Sequence, residues 1–230
     1  MTNLYELWKH FAFLSDLQGY TEEERVFLER FLSHEYTLRE QKKRAYLLRM
    51  SGIRGARLLS DFDWTFNPAI PREKIMEFIH TDWLKKPCNF ILIGPSGVGK
   101  THIASALCYD AVLQGKQTIF VTLFDLTAKL TKAKSVYSLI DYYAKIPILC
   151  LDELGYVLPS REHADSLFQI ISKRSETGTT LVTTNLVPSQ WGKVFDSVTA
   201  SAILDRLSMN GTFIPFDGRS YRKRNNKETP

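Results

Sequence analysis

Gly94-Pro95-Ser96-Gly97-Val98-Gly99-Lys100-Thr101 sets one glycine, four residues of free choice and then Gly-Lys-Thr in a row. Glycines at 94, 97 and 99 let successive backbone N–H groups converge on the β- and γ-phosphates of a nucleotide, at the positive end of the helix that follows. Lys100 reaches for the γ-phosphate, and Thr101 offers a hydroxyl to a Mg2+ ion bridging phosphate oxygens. Pro95, Ser96, Val98 and His102 complete the cradle. The apolar run Phe90 to Ile93 precedes it, and Ile103, Ala104, Leu107 and Ala111 follow at helical spacing. This strand, loop, helix context separates a phosphate-binding loop from an idle glycine turn.

A second apolar run, Ile148 to Leu151, ends in Asp152-Glu153. Two adjacent carboxylates at the end of a buried strand imply a cation nearby. Asp152 reads as the metal partner and Glu153 as the general base that polarises an attacking water. A nucleotide kinase needs lid arginines and an acceptor pocket, so the Asp-Glu pair favours hydrolysis by water. Asn185, after Leu181 to Thr184, either holds that water or touches the γ-phosphate, or else simply opens the turn before Pro188.

The elements that must position these groups follow from periodicity. Leu4, Leu7, Trp8, Phe11 and Leu14 recur at helical spacing, and Thr21-x-x-Glu24 has the spacing of a capping box opening a helix that runs to about Met50. Gly52 and Gly55 punctuate a short third helix, and residues 61–71 form an aromatic connector. From Asn89 onward, strands at Phe90–Ile93, Thr118–Thr122, Ile146–Leu151, Leu181–Thr184 and Phe213–Phe216 alternate with helices, which predicts an α/β fold with a five-stranded parallel sheet covered on both faces. The expected organisation is a small all-helical domain over residues 1–66, an ATPase domain over 67–218, and a basic disordered tail over 219–230. Fourteen residues follow Phe216, too few for a helical lid, so the adenine needs cover from Phe66 and Pro68 of the connector or from another subunit.

Composition narrows the class. The 230 residues are 44% hydrophobic and 24% charged with a net charge of +5, which excludes collagen-like and wholly disordered chains. No apolar stretch approaches the roughly 18 residues of a membrane span, and the start of the chain lacks a basic, cleavable leader, so the expected location is the cytoplasm, with no membrane partner. Three widely spaced cysteines without a CxxC read as reduced, buried residues. The five histidines fall in no ligand spacing.

In these residues the chain resembles the AAA+ ATPases, and more narrowly the IstB family of transposition helper ATPases, related to DnaC-type helicase loaders. The pieces that carry the resemblance are GPSGVGKTHIASAL from Gly94, LDELGY from Leu151, SLFQIISKRSE from Ser166, TTNLVPSQWGKVF from Thr183, AILDRLSMNG from Ala202 and FDGRSYRKR from Phe216. The resemblance implies an oligomer in which Arg206 enters a neighbour's active site as an arginine finger. Read alone, Arg206 is equally an ion-pair partner of Asp205 or a helix cap. Arg222 is either a second phosphate-sensing arginine or part of a solvated tail, and Arg174 is a further candidate at the subunit boundary.

Between Arg39 and Arg57 the chain carries seven cations against the single carboxylate of Glu40. Lys42, Lys43, Arg44, Arg49, Arg54 and Arg57 therefore form a candidate surface for tracking the phosphates of duplex DNA, with little capacity to read bases. A solvated basic helix face is the plainer alternative. Lys132 and Lys134 are a second candidate contact. With these features, the resemblance implies an ATP- and Mg2+-dependent ATPase that assembles on DNA and stimulates a cognate transposase. A helicase loader and a small-molecule P-loop kinase are the alternatives.

Overall fold

The computed structural model describes residues 3–13, 15–55, 57–80 and 83–223. Its contacts divide the chain into two units, residues 1–46 and 47–230.

In the first unit, α1 (Leu4–His10) starts at Asn3, whose side chain accepts from the Glu6 amide. The predicted capping box opens α2 (Glu22–Met50). The Thr21 amide donates to the Glu24 carboxylate at 2.8 Å, and the Glu24 amide donates back to the Thr21 hydroxyl at 3.4 Å. These bonds to Thr21 hold the Glu24 carboxyl below its usual pKa. Trp8 packs against Phe13 and Tyr20 with ring centroids 4.5 and 5.7 Å apart, and the Arg39 guanidinium lies 4.7 Å over the Phe11 ring. That contact ties one cation of the basic stripe to an aromatic face of its own unit.

The second unit begins at residue 47, not at 67. Residues 51–66 were expected to belong with the N-terminal helices, but the described ones among them fall in the second unit. The Phe120 amide donates to the Ser51 carbonyl at 2.6 Å, and His102 bonds the Leu58 carbonyl at 3.1 Å. Among the described residues Gly52 to Gly55 form no helix, and a short 3-10 turn follows at Leu59–Asp61. Backbone pairing with the edge strand replaces the expected helical bonds here.

The five strands are β1 (Asn89–Ile93), β2 (Thr118–Thr122), β3 (Ile148–Leu154), β4 (Thr179–Thr184) and β5 (Gly211–Pro215). They form one parallel sheet in the order β2-β3-β4-β1-β5. β1 is buried along its length, and its residues alternate between two cores. Ile91 and Ile93 join a core with Leu126 of α5 (Leu123–Lys132), Tyr143 of α6 (Val136–Lys145), Leu167 of α7 (Arg161–Arg174) and Ile203 of α8 (Ser197–Ser208). Phe90 and Leu92 join the other, with Phe78 of α3 (Arg72–His80) and Ile103 and Leu107 of α4 (Lys100–Leu113). Helices on both faces explain why the strands read as continuous apolar runs. In a parallel sheet every strand ends on the same edge, so the β1–α4 loop, Asp152-Glu153 and the end of β4 share one rim.

Candidate nucleotide site

The loop after β1 turns through left-handed backbone at Gly97 (φ 82°) and Gly99 (φ 108°), and Gly99 caps α4. Both glycines are also needed for space. A Cβ on Gly97 would lie 2.1 Å from the Ser220 hydroxyl, and one on Gly99 would lie 2.5 Å from the Phe62 ring. The loop is thus roofed from two sides, by the connector and by the end of the chain.

Lys100 is buried at the loop's centre, its Nζ donating to the Gly94 and Pro95 carbonyls at 2.6 and 2.7 Å. Burial pulls its pKa down to about 8, partly opposed by the nearby Asp152 and Glu153 carboxylates, while Arg222 adds to the depression. Phosphate oxygens beside this amine would favour its charged form and raise the pKa again.

Across the rim, Asp152 is buried and its Oδ1 accepts from the Thr101 hydroxyl at 3.0 Å and from the Thr183 hydroxyl. The next residue faces the other way. Glu153 has φ 59°, the β3–β4 register shifts between Leu151 and Leu154, and the Glu153 amide donates to Thr183 Oγ1 at 3.0 Å. Such a bulge re-aims one side chain of a strand. Asp152 stays inside, and Glu153 is exposed on the cavity that holds Lys100.

That cavity, about 330 Å³, is lined by Ser96 to His102, Glu153, Tyr156, Thr183 and Arg222, with Phe62, Phe66, Ile70 and Tyr221 supplying apolar wall. Phe66 and Tyr221 meet edge to face at 4.9 Å. Of the two connector residues expected to cover a base, Phe66 lines the cavity and Pro68 does not; Phe62 and Tyr221 line it as well. The segment 219–223, expected as part of a disordered tail, is seated here. The Tyr221 amide donates to the Gly97 carbonyl at 2.9 Å, and Asn67 and Arg219 exchange two bonds of 2.9 Å each. These bonds anchor the strap, which brings Arg222 into the cavity. Residues 224–230 lie outside the described residues.

Other predicted site residues fall elsewhere. Asn185 is exposed beside Gly155 and does not line the cavity. Arg174, expected at a subunit boundary, is fully buried. It donates to the carbonyls of Tyr143, Ala144, Ile146 and Thr179 and to the Thr180 hydroxyl, and burial lowers its pKa to about 10. It is a framework residue joining α6, α7 and β4. Arg206 pairs with Asp205 at 3.5 Å near the end of α8, at the edge of the sheet where strands begin. Lys42, Lys43 and Arg44 are exposed on α2 in the first unit, while Arg49 and Arg54 lie in the second, Arg54 being 3.9 Å from Asp125. Arg57 lines the nucleotide cavity itself and the adjoining groove of about 810 Å³ that also holds Lys132. Tyr156, whose hydroxyl is 2.6 Å from Ser96 Oγ, and Thr183 were quoted in motifs but given no role. Tyr221, beside Arg222 in the last of those segments, was likewise given no role, and Arg57 was expected at DNA and not at this cavity.

Over residues 4–229 the sequence matches the family described as IstB-like ATP binding protein. The chain belongs to that family. Among similar IstB-like proteins, one described as an ATP-binding protein of insertion sequence IS21 from Pseudomonas aeruginosa is 37% identical over 202 residues, covering 86% of this chain and 76% of the relative. Another, from insertion sequence IS232 of Bacillus thuringiensis subsp. berliner, is 34% identical over 199 residues, covering 85% and 80%. Among solved structures, DnaI superposes with a TM-score of 0.59 at 25% identity, over 76% of this chain and 92% of DnaI. AMPPCP-bound DnaA from Aquifex aeolicus superposes with a TM-score of 0.60 at 18% identity, over 77% and 57%. The fold of this IstB-like chain is therefore the α/β fold of the AAA+ P-loop ATPases. No helix among the described residues is long and apolar enough to cross a membrane.

Proposed function

We propose that this chain is an ATP-hydrolysing helper of an insertion-sequence transposase, which assembles in its ATP state on duplex DNA in the cytoplasm and stimulates transposition there. The observation that carries hydrolysis is the split of the carboxylate pair, Asp152 buried on two hydroxyls and Glu153 turned out toward the Lys100 cavity. Glu153 accepts a proton from water there, and Lys100, with Arg57 and Arg222 on the same cavity, offsets the charge gathering on the γ-phosphate. The Thr101 hydroxyl and Asp152 carboxylate, 3.0 Å apart, are the hard oxygen donors that suit Mg2+. Bound Mg2+ would supply charge neutralisation on the phosphates.

Assembly is supported by the position of Arg206. β1 has the phosphate loop at one end and the α8 terminus at the other, separated by about 16 Å at ~3.3 Å per residue. That is too far for Arg206 to serve its own subunit's nucleotide, which supports a role for it in a neighbour's site. The basic residues Lys42, Lys43, Arg44, Arg49 and Arg54 support DNA binding, and the insertion-sequence relatives support the transposase as partner. The test is phosphate release with and without duplex DNA. We expect Mg2+-dependent turnover that Glu153→Gln and Arg206→Ala each reduce by about 100-fold or more. Turnover unchanged in both variants contradicts the reading. A helicase loader is the second reading, in keeping with a fold shared with the solved DnaC helicase loader, and co-purification with a hexameric helicase would support it.

A further inference from the structure

Asn89 is a buried polar residue at the head of an otherwise apolar strand, 3% exposed, followed by Phe90, Ile91, Leu92 and Ile93. A buried amide needs partners, and those of Asn89 are specific. Its Nδ2 donates to the Arg206 carbonyl at 3.3 Å, the Leu207 carbonyl at 3.1 Å and the Met209 carbonyl at 2.9 Å. These are carbonyls at the end of α8, which a helix leaves without internal partners. The Asn89 amide also donates to the Asn210 carbonyl at 3.0 Å. One residue therefore holds both the end of α8 and the turn behind it.

That helix end carries Arg206. Its guanidinium has only weak local restraints, an exposed carboxylate of Asp205 at 3.5 Å and the Met209 sulfur at 3.7 Å. Its direction is thus set by the backbone on which it stands. We infer that Asn89 is a positioning residue for the trans-acting arginine, orienting the end of α8 so that Arg206 meets the γ-phosphate held by a neighbouring subunit. The inference rests on the reading of Arg206 given above. It also places the phosphate loop and the support of the finger at opposite ends of the single strand β1.

Subunits carrying Asn89→Ala should keep a working nucleotide cavity and lose the ability to complete a neighbour's. Unassembled Asn89→Ala subunits should bind ATP within about twofold of the parent, while assembled turnover at saturating ATP falls about tenfold or more. Mixing them with Lys100→Ala subunits, which keep the finger but not the site, should restore turnover, as should mixing Arg206→Ala with Lys100→Ala. The Asn89→Ala/Arg206→Ala double variant should be no slower than Arg206→Ala. Asn89→Ser, which keeps one donor, should fall between.

Unchanged turnover, loss of ATP binding in step with turnover, or failure of the Asn89→Ala mixture where the Arg206→Ala mixture recovers would overturn the inference alone. Failure of the Arg206→Ala mixture removes the trans reading, and this inference with it. Failure of both Asn89→Ala and Asn89→Ser to fold makes Asn89 a framework residue and overturns it too.

Discussion

The Thr183 hydroxyl on β4 donates its hydrogen to the buried Asp152 carboxylate on β3 and accepts the amide hydrogen of Glu153. One side chain thereby holds both halves of the carboxylate pair, which explains how two consecutive residues keep opposite environments. Replacing it with valine keeps the shape and removes the bonds. Thr183→Val should lose about 1–3 kcal/mol of stability, as expected when a buried charged acceptor is left short of a donor. It should also raise the Mg2+ concentration needed for ATP binding. Chemical denaturation and a Mg2+ titration check both, and Thr183→Ser should retain most of each.

Lys100 makes nucleotide binding pH-dependent. Its pKa in the free protein is about 8, below the ordinary lysine value because of burial. ATP favours the charged amine, so the pKa rises on binding. Binding should be insensitive to this group below pH 8 and should weaken above it, with uptake of a proton. Stability of the free protein runs the other way. The unfolded chain holds the proton up to the higher lysine pKa, so the cost of burying a charged Lys100 is full below pH 8 and disappears as pH rises through the unfolded value. Calorimetry at pH 9 in buffers of different ionisation heat should show proton uptake that falls away as the pH is lowered through 8 toward 7.

Phe66 and Tyr221 meet on the cavity wall, so the connector and the strap are expected to cover the base together. Phe66→Ala and Tyr221→Ala should each weaken ATP binding by about 10-fold, the scale of one lost aromatic contact, in titrations with a fluorescent nucleotide. Truncation after Gly218 should have at least the effect of Tyr221→Ala, because it also removes the bonds to Gly97 and Asn67.

Arg174 is a stability residue. Arg174→Leu strands several buried carbonyls and should cost about 3 kcal/mol or more. In thermal melts it should unfold early, and at temperatures where it stays folded its ATP affinity should match the parent's.

Much of this site was legible because it is local in sequence. The phosphate loop, all five strands and the Thr21–Glu24 cap follow from residues within a few positions of each other, where spacing and side-chain chemistry determine the geometry. What escaped is long-range. Tyr221 reaches Gly97 across 124 positions, and Asn67 reaches Arg219 across 152. Neither sequence neighbourhood carries a trace of the contact. The same reason hid the role of Thr183, since the order β2-β3-β4-β1-β5 seats β4 between the two motif strands in space while β2 lies between them in sequence. Arg174 misled because an arginine at a helix end reads as exposed, and its buried carbonyl partners come from α6 and β4. Asn185 follows the strand that carries Thr183, but there the chain turns toward Gly155.

In the proposed function, ATP held between Lys100 and Glu153 drives assembly on DNA through Arg206. Mass photometry of the protein with and without duplex DNA, in ATP, in ADP and in a Glu153→Gln background that retains ATP, tests it most directly. DNA-bound oligomers that appear with ATP, persist in Glu153→Gln and vanish with ADP or Arg206→Ala are the predicted result. A protein that stays monomeric and ignores DNA in every nucleotide state would contradict it.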